Sequence, residues 1–155
     1  MEPGTYRIGL TGSRNWKLEV PIRRALRATV AEAVAAGLRP VLIHGNCPTG
    51  ADHLADRIWR SWQWVPEVYD ADWDSCGRGC PRKPHRVKRW PEDRHHPGTL
   101  DDWCPKAGPR RNQRMIDSGL DVLLAFPLGE RSGTQNCIRL AERAGIPVPP
   151  LDQWE

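Results

Sequence analysis

Residues 121–134, DVLLAFPLGERSGT, decide the fold class that this chain is expected to adopt. Five consecutive apolar residues at 122–126 are typical of a strand that is buried on both faces. A loop with proline and glycine follows, and it ends at Gly133 and Thr134, where a helical segment begins. The free N–H groups and positive dipole end of such a helix favour a phosphate or carboxylate. The stretch therefore predicts a strand, a loop and a helix with an anion site, although a turn that needs Gly133 only for its backbone conformation explains the same pattern.

The same alternation of strand and helix recurs along the chain. Strands are predicted at residues 6–11, 41–44, 66–69, 121–126 and 146–148, and helices at residues 17–36, 51–62, 109–118 and 135–144. One apolar face of the first helix is predicted from residues spaced by four, namely Leu18, Ile22, Leu26, Val30 and Val34. This order predicts an α/β fold, a three-layer Rossmann-like open parallel sheet with helices on both faces.

Length and composition indicate one domain. The 155 residues fit a single domain over 1–155, since most domains have about 100 to 150 residues. No apolar run approaches the roughly 18 residues of a membrane-spanning helix, and the N-terminal sequence leads into a strand instead of a signal peptide. We therefore expect a soluble, cytoplasmic protein that does not bind membranes. Five cysteines in such a chain favour free thiols or metal ligands over a disulfide framework.

Positive charge is concentrated in one segment. The net charge is +4, yet residues 76–111 alone hold ten Lys/Arg and four Asp/Glu. A basic run that contains Trp90 is typical of single-stranded nucleic-acid binding, through phosphate contacts and base stacking. The same run holds Glu92 and Asp93, and most such runs are solvated loops. Nucleic-acid binding is therefore a less favoured alternative function.

The loops that follow the predicted strands contain the candidate ligand-binding residues. In an open parallel sheet these loops meet beyond the carboxyl ends of the strands, where ligands bind. The predicted ligand-binding residues are Gly12, Ser13, Arg14, Gly45, Asp52, Arg111, Gly133 and Thr134. Gly12 and Ser13 offer donors to a phosphate, and Arg14 offers a charge-assisted contact.

Asp52 and two further side chains near these loops have two interpretations each. Asp52 either accepts hydrogen bonds from a ribose or holds its own loop at a helix start. Trp16 either stacks on a base or covers the sheet edge. His44 ends a buried strand, where a histidine is more often a hydrogen-bonded structural residue than a general base.

Short motifs in a fixed order cover nearly the whole chain except about residues 74–106. They are Thr11-Gly12-Ser13-Arg14 with Trp16, His44-Gly45, Gly50-Ala51-Asp52 with Ala55, Ala71-Asp72-Trp73, Ala107-Gly108-Pro109-Arg110-Arg111-Asn112 with Met115, Ala125-Phe126, Gly133-Thr134 and Gly145-Ile146-Pro147-Val148. Together they resemble the SLOG superfamily, specifically its YspA-like members with a DprA- and LONELY GUY-like Rossmannoid fold. The resemblance implies binding of a nucleotide or nucleotide-derived ligand, such as a relative of NAD or ADP-ribose. It also favours a homodimer.

An enzymatic alternative depends on a second part of the resemblance. LONELY GUY phosphoribohydrolases cleave the N-glycosidic bond of nucleoside monophosphates, and their motifs carry an arginine and a glutamate. Arg111 and Met115 match the arginine motif, whereas Cys137 occupies the position of the acidic residue. A thiol cannot replace a carboxylate that stabilises an oxocarbenium-like centre, so Asp52 or Glu130 would have to supply one. Arg111 is thus a catalytic candidate only if the protein is an enzyme, and binding or sensing is the preferred interpretation.

Residues 74–106 form a polar, proline-broken connection that is too long for an ordinary loop between a strand and a helix. Cysteines and histidines cluster in it, and thiolate and imidazole are the ligands that zinc prefers. The predicted ligands of one structural zinc ion are Cys76, Cys80, His85 and Cys104, with His95 or His96 as replacements for His85. A closed site of four ligands would order the loop without acting in catalysis. The alternatives are an unstructured basic loop with free thiols and a Cys76–Cys80 redox pair.

Overall fold

The computed structural model describes residues 3–76, 85–88, 90, 93–129 and 133–155. The elements in chain order are β1 (Thr5–Gly12), α1 (Glu19–Ala35), β2 (Arg39–His44), α2 (Ala51–Ser61), β3 (Glu67–Val68), β4 (Arg86–Val87), β5 (Asp102–Trp103), α3 (Ala107–Asp117), β6 (Val122–Phe126), α4 (Gly133–Arg143) and a 3-10 turn at Leu151–Trp154. The four predicted helices and the first four predicted strands are all present, within a few residues of their expected bounds.

The sheet has the strand order β3-β2-β1-β6, and every neighbouring pair is parallel. Successive residues of a strand point to opposite faces, so each strand contributes to two apolar cores. Leu42 packs into the core beneath α1 and α2, whereas Ile43 packs into the core beneath α3 and α4. The predicted three-layer α/β fold is therefore confirmed.

Glycine at position 9 is required by close packing against the sheet. A Cβ atom at Gly9 would lie 2.4 Å from Leu120 Cδ1 and 3.1 Å from Leu123 Cδ1. The two leucines pack directly on the backbone of β1, because the glycine leaves the space that a side chain would fill. Overpacking of such a position is costly in a dense core.

The predicted apolar face of α1 was wrong at both ends. Leu18 and Val34 are 63% and 62% exposed. A helix has 3.6 residues per turn, so residues spaced by four drift about 40° around the axis at each step. The buried positions follow the mixed three- and four-residue spacing and are Pro21, Ile22, Ala25, Leu26, Thr29 and Ala33.

The predicted fifth strand at residues 146–148 is not formed. Its backbone makes one ladder-like contact, in which Leu123 N donates to Pro147 O at 2.9 Å. Pro147 and Pro149 lack the N–H groups that a further strand would need. This stretch therefore lies beside β6 without extending the sheet.

The inserted segment, residues 74–106, contains a two-stranded antiparallel ribbon of β4 and β5. The ribbon is separate from the main sheet and lies between β3 and α3 in the chain. Within the described residues, no helix is both long and apolar enough to cross a membrane.

Candidate functional site

A cavity of about 670 Å³ lies at the carboxyl edge of the sheet, where the loops after β1, β2 and β6 meet α3. The structure brings all eight predicted ligand-binding residues to its wall: Gly12, Ser13, Arg14, Gly45, Asp52, Arg111, Gly133 and Thr134. They come from four separate parts of the chain, so the parallel sheet is what assembles them.

Backbone contacts join the loop after β1 to its two neighbours. Ser13 N donates to Phe126 O at 3.0 Å, and Ala51 N donates to Ser13 O at 3.1 Å. Gly50 has a φ of +80°, and a Cβ atom there would lie 2.2 Å from Ser13 O. Only glycine allows both this backbone conformation and this close approach. The three loops are therefore held as one unit.

Two adjacent side chains of α3 connect the helix to opposite sides of the cavity. Arg111 donates through Nη1 to the carbonyl oxygen of Gly45 and, at 3.4 Å, to Tyr69 O. Asn112 donates through Nδ2 to Gly133 O at 3.1 Å. The guanidinium of Arg111 is thus held by backbone carbonyls and keeps its full positive charge at the cavity wall.

Asp52 is buried, lines the cavity and accepts a hydrogen bond from Cys47 N at 3.3 Å. Burial raises the pKa of Asp52, and its interactions with His44 and Arg111 oppose this only in part. The hydrogen bond from Cys47 N agrees with the interpretation that Asp52 holds its own loop. Its position also leaves it next to any ligand in the cavity.

His44 has a hydrogen-bond partner at each ring nitrogen. Asn46 N donates to Nδ1 at 2.9 Å, so the neutral ring carries its proton on Nε2, which faces Asp56 Oδ2 at 2.8 Å. The ring is 1% exposed. This geometry agrees with the structural interpretation of His44.

The charged side chains around the cavity favour an anionic ligand. Among the described residues, the charged side chains of its wall are Arg14, Arg86, Arg111 and Arg139 with Asp52 and Asp70. The guanidinium of Arg14 makes no hydrogen bond or ion pair with any described residue. It is therefore available for a charge-assisted contact with a ligand.

Trp16 covers the sheet and does not line the cavity. Its ring is 7% exposed and packs edge-on against Phe126, with 5.4 Å between the ring centroids. Its indole N–H donates to Leu18 O at 2.7 Å. Of the two interpretations of Trp16, the structure therefore shows the covering role.

Cys137 is buried in the core between the sheet and α4. Burial raises the pKa of its thiol to about 11, although Thr11 hydrogen-bonds to it. Cys137 is therefore a buried thiol that does not line the cavity. Glu130, a possible source of the missing carboxylate, lies outside the described residues.

Three rings that were not predicted as ligand-binding residues form one side of the cavity, although His96 was named as a replacement zinc ligand. We call Trp73, His96 and Trp103 the ring wall. His96 and Trp103 stack with ring centroids 3.6 Å apart and planes 8° apart, and Trp73 meets both edge-on at 4.7 and 5.5 Å. Sequence reasoning missed two of the rings because the inserted segment has no periodic pattern; Trp73 stands within one of the motifs.

A second group of side chains could hold a metal ion. One ligand atom each of Cys76, His85 and Cys104 lies within 4.8 Å of the others. Cys76 Sγ and His85 Nε2 are 2.9 Å apart. Cys80, the fourth predicted ligand, lies outside the described residues.

Strand register explains how two of these side chains meet. Arg86 pairs with Trp103 in the ribbon of β4 and β5, so His85 and Cys104 occupy the next pair of positions. His85 Nδ1 also lies 3.6 Å from Asp102 Oδ2, which is beyond hydrogen-bond distance.

The other two candidate histidines have different partners. His95 Nε2 lies 2.9 Å from Thr49 Oγ1, and His96 Nδ1 lies 2.9 Å from Asp93 Oδ2. Both rings line the cavity, whereas His85 lies with the two cysteines. The structure therefore places His85, and neither replacement, in the Cys-His-Cys group.

Comparison with known proteins gives a family but no activity. No family model matches the chain. The chain is 35% identical over 156 residues to the "Gene 61 protein" of Mycobacterium phage D29, an alignment that covers 92% of this chain and 93% of the phage protein. The chain therefore belongs to the same family as this phage protein.

Proposed function

We propose that the protein binds a nucleotide or nucleotide-derived ligand, related to NAD, ADP-ribose or a nucleoside phosphate, as a sensor or binding protein of the SLOG, YspA-like type. The observation that carries this proposal is the cavity at the carboxyl edge of the sheet, lined by all eight predicted ligand-binding residues. Its volume of about 670 Å³ lies within the range of about 300 to 1,000 Å³ that is usual for ligand sites.

The expected position of the phosphate is at the loops after β1 and β6. Gly133 and Thr134 form the first turn of α4, whose free N–H groups and dipole favour a negative charge. Gly12, Ser13 and the unpaired guanidinium of Arg14 line the same cavity. These groups supply donors and positive charge without an acidic side chain among them.

The test is calorimetric titration of the protein with AMP and with ADP-ribose. Arg14→Ala combined with Thr134→Ala should weaken both by at least about 10-fold, since a charge-assisted hydrogen bond contributes about 1.5 to 3 kcal/mol. Arg27→Ala removes the same charge from an exposed position of α1 and should leave both affinities unchanged. Unchanged affinity in the double variant would place the phosphate elsewhere. Mass spectrometry of molecules released on denaturation would identify the natural ligand.

We further propose that Cys76, His85 and Cys104, together with Cys80, hold a structural zinc ion. Thiolate and imidazole donors match zinc better than magnesium or calcium, which prefer oxygen ligands. Four protein ligands would leave no position for a reacting water, so the ion would order the inserted segment instead of catalysing a reaction. Elemental analysis of protein purified without chelators should find about one zinc per chain.

Phosphoribohydrolase activity is a second candidate, favoured by one observation. Asp52 lines the cavity, and burial raises the pKa of its carboxyl group, as in many catalytic acids and bases. Arg111 lines the same cavity. Incubation with nucleoside monophosphates should release free base and ribose 5-phosphate if this activity exists, and Asp52→Asn should abolish the release. Binding remains the preferred function because Cys137 replaces the family's carboxylate.

The inserted segment and the oligomer each give one further expectation. The basic run at residues 78–94 lies largely outside the described residues, so single-stranded nucleic-acid binding stays an alternative that an oligonucleotide titration at several salt concentrations would test. A homodimer is expected from the SLOG resemblance, and light scattering during gel filtration would measure it.

A further inference from the structure

The ring wall combines aromatic surface with a cavity whose other residues are largely polar or glycine. Trp73 follows β3 at the carboxyl edge of the sheet, whereas His96 and Trp103 belong to the inserted segment. The three rings therefore come from two parts of the molecule and meet only in the folded chain. A phosphate-binding site alone has no use for such a surface.

Several contacts hold the rings in position without any ligand. Asp93 Oδ2 lies 2.9 Å from His96 Nδ1, which fixes the orientation of the imidazole. Cys104 N donates to Trp73 O at 2.9 Å and so joins the ribbon to the loop after β3. A Cβ atom at Gly108 would lie 3.2 Å from the Trp73 ring, so this glycine lets the indole pack on the start of α3.

We propose that the ring wall is the subsite for the planar base of the ligand. This inference rests on the proposed function and adds the part of the cavity that receives the base, which would distinguish a nucleotide from a sugar phosphate or a free anion. Every base has an aromatic face that can stack on tryptophan, and rings that are already in place lose little conformational freedom on binding. The guanidinium carbon of Arg86 lies over the Trp103 ring, 5.4 Å from its centroid, and brings a positive charge to the ring wall.

The ring wall lies beside the predicted metal ligands along the chain. Arg86 and Trp103 form one cross-strand pair of the ribbon, and His85 and Cys104 form the next. Two of the predicted metal ligands, His85 and Cys104, are thus next to Arg86 and Trp103 in the chain. The inserted segment therefore has a function beyond covering the sheet, since it supplies the base-binding part of the cavity.

The test compares AMP with ribose 5-phosphate, which differ only in the adenine base. Calorimetry of the whole protein should show AMP binding about 10- to 100-fold more tightly, the range expected for stacking of one base. Equal affinity for the two compounds would overturn the base subsite and leave the proposed function standing. Binding of none of AMP, ADP-ribose and ribose 5-phosphate would overturn the proposed function, and this inference with it.

Variants of Trp103 separate stacking from a general effect on the structure. Trp103→Ala should remove most of the preference for AMP and leave the affinity for ribose 5-phosphate unchanged, and Trp103→Phe should keep most of the preference. The matched control is Trp90→Ala, because Trp90 is 61% exposed in the same segment and does not line the cavity. An equal loss of affinity for both compounds in Trp103→Ala would show that this ring only supports the fold, and would overturn the inference.

Discussion

The sheet with its four helices and the inserted segment form two parts of the same cavity, but different forces stabilise them. The sheet and helices enclose two apolar cores, in which residues such as Ile8, Leu42 and Leu124 have no exposed surface. Among the described residues of 74–106, only His96 and Cys104 are buried. Apolar burial therefore stabilises the first part, and it contributes little to the second.

Polar contacts replace an apolar core in the inserted segment. Asp74 accepts hydrogen bonds from Thr99 N at 2.7 Å and from Leu100 N at 3.2 Å. Arg110 Nη2 donates to Ser75 O at 2.6 Å and connects the segment to α3. Exposed hydrogen bonds of this kind contribute little net stability, so a metal ion at the Cys-His-Cys group would be a large part of what holds the segment together.

The largest expected effect comes from removing one predicted metal ligand. Cys104→Ser should reduce bound metal from about one ion per chain to near zero, because a three-ligand remainder binds structural zinc far more weakly. The preference for AMP over ribose 5-phosphate should fall with it, while the sheet and helices stay folded. Elemental analysis and limited proteolysis within residues 74–106 measure the two effects.

Cys47→Ser is the matched control for this experiment. Cys47 lines the cavity but does not belong to the Cys-His-Cys group. The control should keep its metal and its resistance to proteolysis. Full metal content in Cys104→Ser would show that this thiol is not a ligand, and that the inserted segment does not depend on it.

An intermediate effect is expected where two loops of the sheet edge touch. Gly50→Ala should lower the free energy of unfolding by about 2 to 4 kcal/mol, as the sum of a left-handed backbone conformation and a steric clash. Gly37→Ala shares the positive φ, here +73°, but has no heavy atom within 4 Å of the added Cβ. It should cost only about 1 to 2 kcal/mol. Chemical denaturation measures the free energy of unfolding of both variants. An equal loss in Gly50→Ala and Gly37→Ala would show that the contact of Gly50 with Ser13 O is not tight in solution.

The smallest effect is a difference in pH dependence between two carboxylates of α2. Burial raises the pKa of Asp52, so the folded state binds its proton more tightly than the unfolded chain does. Burial also acts on Asp56, but hydrogen bonds from Arg60 and His44 outweigh it and lower the pKa of that carboxyl group. The two groups therefore change stability in opposite directions as pH falls.

Denaturation of the wild type, Asp52→Asn and Asp56→Asn from about pH 7 down to about pH 2 measures this difference, because the folded pKa of Asp56 lies below its ordinary value. The ionised Asp52 lowers stability at neutral pH, and this cost is lost as pH falls through its folded pKa. The wild type should therefore gain stability relative to Asp52→Asn. Asp56 stabilises the fold above its unfolded pKa and loses this contribution in acid, so the wild type should lose stability relative to Asp56→Asn. If the wild type changed in stability in the same direction relative to both variants as pH falls, the opposite pKa shifts assigned to Asp52 and Asp56 would be contradicted.

The predictions that succeeded depend on information local to the chain. The continuous apolar run at residues 122–126 predicted a strand buried on both faces, and glycines after the strands predicted loops that gather at one edge of the sheet. Both follow from strand geometry and from the right-handed connections of parallel sheets. The identities of Cys76, His85 and Cys104 as a group likewise followed from their donor chemistry, since no other part of the chain clusters sulfur and imidazole.

The predictions that failed, or were not made, depend on contacts between distant parts of the chain. Leu18 lies on the spacing-of-four pattern, but it precedes the first residue of α1 and is exposed. His85 was the predicted ligand, but His95 and His96 stayed open as replacements, and only the folded chain places His85 alone among the three with the two cysteines. The ring wall required Trp73 and Trp103, 30 positions apart, to meet at one cavity. Tertiary packing brings such side chains together. Their own segments carry no periodic apolar pattern from which the direction of each side chain could be predicted.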